Sequence, residues 1–233
     1  FSPSGVDLGV FARGMELPRD VLVVRKPPRV FELPAVADSF MRQGAPNTNE
    51  GANPRLRIQE AGNNRALVAF ELVGIPLNRI TRATLVLTIA ENADNWGRNN
   101  DRTVDAHRLL TSFIEGNGQA AGLSNSETAR GSGSGVTWHC AADANVANQI
   151  PDCSARWNGG SFSPATAAAY THVNGLRGDV TWDVTADVQA GATRWLIKKT
   201  NEALSGQVSY YSREGAGEAG NPELAPRLIV EVD

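Results

Sequence analysis

Between Asn63 and Ile89 the chain runs NNRALVAFELVGIPLNRITRATLVLTI, and this stretch restricts the fold more than any other. Ala66, Val68, Phe70 and Leu72 fall on one side of an extended backbone, with Leu67, Ala69 and Glu71 on the other. Further on, Leu85, Leu87 and Ile89 alternate with Thr84, Val86 and Thr88. Successive side chains of a strand point to opposite faces, so both segments read as strands with one apolar face each. Only a second layer can bury such faces. The expected fold class is therefore all-β, a jelly-roll-like antiparallel β-sandwich.

Short strand patterns recur along the rest of the chain, at residues 36–42, 56–58, 104–110, 180–184, 194–199, 207–212 and 228–232. Turn signals such as Gly44-Ala45-Pro46-Asn47 and Gly51-Ala52-Asn53-Pro54 separate the first of them and leave no room for helical crossovers. Residues 194–199 and 207–212 read as a strand pair, and Gly215 to Gly220 as a glycine-rich turn into the last strand. Thr185 is placed to cap a short helix over residues 185–188. Residues 111–173 form a long insertion rich in Gly, Ser, Ala and Asn, with an expected helical turn at Thr166-Ala167-Ala168-Ala169. Trp138, Trp157 and a disulfide are expected to order it, and covering a sandwich face or a subunit contact would give it a role.

Several of these segments together resemble the DNRLRE-type domain, a secreted bacterial β-sandwich similar to carbohydrate-binding modules. The resemblance rests on N-R-A-L-V-A-F-E-L followed by I-P and A-T-L-V-L, on A-D-S-F-M-R at residues 37–42 and on P-N-T-N-E-G at residues 46–51. Val136-Thr137-Trp138, Trp182-Asp183-Val184-Thr185 and the closing strand PRLIVEV follow in the same order. It covers roughly residues 31–233. It implies a single domain over residues 30–233 and glycan recognition through Arg forks and aromatic platforms, with Ca²⁺ as a possible structural ion. Through the fold alone it also suggests that Asp38, on the opening strand, and Glu214, before the closing strand, come together around an ion.

A formal net charge of −3 with both signs interspersed argues against a nucleic-acid partner. No run of eighteen apolar residues is present, so no transmembrane segment is expected. The chain starts at Phe1 rather than Met, which fits removal of a secretion signal and an extracellular location. Cys140 and Cys153 lie in the insertion and suit an extracellular disulfide; a zinc site with His139 would lack a CxxC pair and a second His at ligand spacing.

Residues 1–29 form an N-terminal extension outside the resemblance. Val6, Leu8 and Val10 alternate with Asp7 and Gly9, and Val21 and Val23 belong to a second strand-length run. Either this arm folds back onto its own sandwich, or it is a donor strand that completes the sheet of a neighbour. In the second case Pro27-Pro28 is the stiff hinge, and head-to-tail addition propagates into a filament.

Candidate binding residues fall into two groups. Arg55, Arg57 and Arg65 are expected on one sheet face, either solvated or clamping acidic groups of a polysaccharide, and Trp96 beside Arg98 either stacks a sugar or caps the core. Asp94, Asn99 and Asp101 supply oxygens for Ca²⁺, though Asx residues also close turns on their own backbone. The three His are scattered, and no GxSxG, HExxH or phosphate-binding glycine loop is present, so the chain reads as non-enzymatic with no required cofactor. Two functions remain: a structural subunit that self-assembles into a filament or surface layer, and a module binding an acidic polysaccharide.

Overall fold

A computed structural model of the chain describes residues 27–59, 63–97, 102–121 and 127–233. Two antiparallel sheets pack face to face as a β-sandwich. The first sheet contains β1 (Arg29–Pro34), β3 (Arg55–Ile58), β5 (Ile80–Asn92), β8 (Gly178–Asp183), β10 (Val208–Tyr211) and β11 (Arg227–Val232). The second runs in the order β2 (Ala37–Arg42), β4 (Asn64–Ala69), β9 (Arg194–Lys199), β6 (Thr103–Leu109), β7 (Phe162–Thr171). Three short helices punctuate them: α1 (Glu127–Arg130), α2 (Thr185–Gln189) and α3 (Arg213–Glu218).

The long strand β5 organises the first sheet. Its Thr84 is opposite Ile229 of β11 on one side and Asp183 of β8 on the other. Beyond β11 lies β1, so β1 and β8 are on opposite sides of β5. The alternation expected in β4 and β5 is what fills the core: Ala66, Val68, Phe70, Leu85, Leu87 and Ile89 meet Trp182, Trp195 and Tyr210 between the sheets.

A second apolar cluster lies on the outer face of the other sheet. Met41, Leu67, Leu109 and Leu196 point away from the sandwich core and are covered by Val136 and Trp138 of the insertion, with Phe113, Trp157 and Phe162 at its margin. The Cys140–Cys153 disulfide, with Cα atoms 5.9 Å apart, staples this cover. The insertion therefore buries the second face of a sheet that would otherwise expose four large apolar side chains.

Four local expectations are corrected. Residues 165–171 form most of β7 rather than a helical turn, because Ala168 and Tyr170 pair with Ala106 and Val104 on β6 and tertiary pairing outweighs alanine's helix preference. Pro164 is tolerated there because β7 is the last strand of its sheet. Residues 194–199 and 207–212 do not pair: β9 lies between β4 and β6, while β10 lies between β5 and β3 in the other sheet. The connection crosses the sandwich and is tied down by the buried Lys199 ammonium, which donates to the carbonyls of Leu204 and Ser205. Residues 213–218 wind into α3 instead of a turn, with the Ser212 hydroxyl accepting from the Gly215 amide at 3.0 Å. Helix α2 forms, but its cap position is Val184. Thr185 instead accepts from the Ala83 amide (2.9 Å) and donates to Asp183 (2.6 Å), joining the helix to β5.

Candidate metal centre

Asp38 shares the inward face of β2 with Phe40, so a carboxylate occupies a position that strand alternation reserves for the core. It is fully buried. Two other carboxylates converge on it, Glu115 from the insertion and Glu214 from the first turn of α3, with one ligand oxygen of each within 4.8 Å of the others. The pairing of Asp38 with Glu214 is thus the expected proximity, and Glu115 is an addition that strand patterning gave no means to find.

The local hydrogen bonds hold this geometry. Glu115 Oε1 accepts from the Asp38 amide at 2.8 Å, and the Arg213 amide donates to Asp38 Oδ2 at 3.0 Å. The Arg213 guanidinium binds Glu115 at 3.0 Å and the Val36 carbonyl at 3.1 Å. Asp38 Oδ1 and Glu214 Oε2 are buried with no hydrogen-bond partner. Burial, reinforced by the charge of Glu214, pushes the Asp38 carboxyl well above the usual range. Burial also raises Glu115, against the opposing pull of the Asp38 amide and Arg213. Three carboxylates face one guanidinium. Such an all-oxygen, acid-rich set suits a hard divalent cation of the calcium class and lacks the His or Cys ligands typical of zinc.

The other candidate residues are dispersed. Arg55 and Arg57 alternate with core residues Leu56 and Ile58 and so project from the outer face of the first sheet, where Arg55 stacks over Tyr211 at 4.9 Å. Arg65 alternates with Ala66 on β4 and projects from the outer face of the other sheet, so the three arginines do not share a face. Its guanidinium forks onto Glu202 at 2.7 Å, donates to the Gly159 carbonyl and stacks over Trp138 at 4.7 Å. It is a strut under the insertion. Parity along a strand says which residues share a face, but it does not say in which sheet the strand lies.

Trp96 is 4 % exposed and caps one end of the core, which removes it as a sugar platform. Its Nε1 donates to Asn92 at 2.8 Å, and its ring crowds Gly206 so closely that a Cβ there would lie 2.3 Å away. Asp94 is already engaged, paired with Arg177 at 2.8 Å and accepting from the Gly175 amide at 2.7 Å. Arg98, Asn99 and Asp101 lie outside the described residues, as do Val6, Leu8, Val10, Val21 and Val23 of the arm.

The three His have separate surroundings. His107 lies on β6 beside Asp105 (3.8 Å), and His139 meets Asn47 at 2.7 Å. His172 is fully buried among Trp96, Tyr170 and Tyr210. No protein-family model matches the chain, and no curated protein matches it. Among the described residues no helix is long and apolar enough to cross a membrane.

Proposed function

We propose that the protein is a non-enzymatic, secreted structural subunit that self-assembles into a filament or surface layer, its N-terminal arm completing a sheet of the next subunit. One observation carries this reading: the arm leads directly into β1, an outermost strand bonded to β11 on one side only among the described residues. The opposite side of the sandwich offers acceptors. There, among the described residues, β7 and β8 each end their sheet, and a groove of about 400 Å³ lined by Ala167, Val184 and Ala186 lies beside them. Strand β1 on one side, and edges unpaired among the described residues on the other, favour a head-to-tail contact, which propagates instead of closing. The disulfide suits the oxidising surroundings of such a subunit, and the resemblance to secreted DNRLRE-type sandwiches points to the same compartment.

Deletion of residues 1–26 is expected to abolish filaments or large oligomers while leaving the far-ultraviolet circular dichroism of a folded β-sandwich. Electron microscopy and size-exclusion chromatography of both chains make the comparison. Filaments that persist after the deletion sink the proposal.

A second reading, an acidic-polysaccharide binding module, is favoured by Arg55, Arg57 and Tyr211, which lie partly exposed on adjacent strands of one outer face. Replacing both arginines with Ala should then shorten retention on an immobilised polyuronate. Unchanged retention counts against it.

A further inference from the structure

We propose that Asp38, Glu115 and Glu214 bind one calcium-class divalent cation, and that this ion latches the insertion and α3 onto β2. The three ligands come from segments far apart in the chain: an opening strand, the loop after β6 and the helix before the closing strand. Hydrogen bonds from the Asp38 amide to Glu115 and from the Arg213 amide to Asp38 already link the segments, and an ion would tie the carboxylates themselves together. The carboxylates are what meet.

The unsatisfied atoms are the second line of argument. A buried carboxylate oxygen without a donor is costly, and here two of them, Asp38 Oδ1 and Glu214 Oε2, belong to residues of one cluster. Arg213 answers only part of the negative charge, and it does so on the Glu115 side. A dication would offset the remaining charge and supply a partner for both oxygens at once. Calcium is favoured over magnesium because its flexible coordination accepts carboxylates held by an existing hydrogen-bond frame, whereas magnesium demands near-ideal octahedral geometry.

The latch would act on the insertion through Glu115. The carbonyl of the same residue accepts from Asn49 at 2.7 Å, and the neighbouring Ile114 carbonyl accepts from the Val136 amide at 2.6 Å. An ion held by the Glu115 carboxylate would therefore steady the backbone on which the insertion is hung.

The test uses the full chain stripped of metal with EDTA, titrated calorimetrically with CaCl₂ and separately with MgCl₂, with melting and hydrogen exchange recorded alongside. Calcium is expected to bind one per chain with a dissociation constant of about 10⁻⁴ M or tighter. Saturation should raise the melting temperature by about 5 °C and slow amide exchange over residues 113–118. Glu214→Gln should weaken calcium binding by about tenfold or more, because affinity follows ligand charge. Glu218→Gln, on the same helix but outside the cluster, should bind as the unmodified chain does. Glu214→Gln is the decisive variant, since the unpartnered Oε2 makes it the ligand least tied into the frame. Absence of binding and of any melting shift at about 10 mM calcium overturns the proposal, as does unaltered binding by Glu214→Gln. Binding is read on each chain whether or not it assembles, so this result stands apart from that of the arm deletion.

Discussion

Replacing Asn49 with Ala should destabilise the protein by at least about 4 kcal/mol and release the insertion from the sandwich. The side chain is fully buried in the turn after β2 and uses all four of its hydrogen-bonding positions. Its Nδ2 donates to the carbonyls of Glu115 (2.7 Å) and Val136 (2.8 Å), and its Oδ1 accepts from the amides of Gly51 (3.2 Å) and Gly118 (2.7 Å). Three of these four partners lie in the insertion. Ala would leave four buried backbone groups unanswered, each costing about 1–3 kcal/mol. No neighbouring side chain can collapse into the gap, because Gly116 and Gly135 surround the amide; a Cβ on either would lie 2.4 Å or 2.7 Å from it. Asn49→Asp keeps the two acceptor contacts but turns an oxygen toward two carbonyls, so it too should destabilise. Urea melts followed by near-ultraviolet circular dichroism of Trp138 and Trp157 in the insertion provide the measurement. A loss below about 1 kcal/mol for Asn49→Ala would show that the insertion is anchored elsewhere.

Acidification from pH 6.5 to pH 4 should remove about 3 kcal/mol of stability through His172 alone. Its ring is held between two groups that fix the tautomer: the Tyr170 carbonyl, 3.2 Å from Nδ1, can only accept, so Nε2 accepts from the Tyr210 hydroxyl at 2.8 Å. Burial disfavours the imidazolium and lowers the pKa from 6.5 to about 4. The folded pKa lies below the unfolded one. The stabilisation is thus complete above pH 6.5, declines as the unfolded chain takes up its proton, and is lost once pH falls through 4. His172→Gln, which retains a donor and an acceptor, should flatten this part of the profile. Chemical denaturation at half-unit pH intervals would reveal it, and an equally steep acid limb in the variant would assign the loss to other groups.

The strands themselves were legible because alternation is a local property. Val68, Phe70, Leu85 and Leu87 declare their face within a few residues, and the structure puts them in the core. Partnership was not. Residues 194–199 and 207–212 are close in sequence and both strand-like, yet what separates them is a buried Lys199 holding a crossing loop, a contact without periodicity. Met41, Leu67 and Leu196 face away from the sandwich core, and the insertion explains why they are apolar; a covering role is one of two readings open to it, but which face it covers has no local signal. At the acidic cluster, Asp38 interrupts an apolar face and so left a trace in the pattern. Glu115 lies among glycines, in a loop whose path is set by Asn49 more than sixty residues earlier. Its arrival beside Asp38 is a tertiary fact.

The ladder between β1 and β11 sets an order of events for the chain. Arg29 is opposite Val232 and Pro34 is opposite Arg227, so the first described strand waits for the last. The same β11 is also the neighbour of β5 over residues 80–86. Pairings that span about two hundred residues close the largest loops and are the slowest to form. Until residues 227–232 are in place, β1 has no partner among the described residues and half of β5 shows an open flank. Loss of those six residues would strip β1 of its partner and uncover the flank of β5, splitting the first sheet. The second sheet needs none of residues 227–232, whereas the first stays unfinished until they are in place.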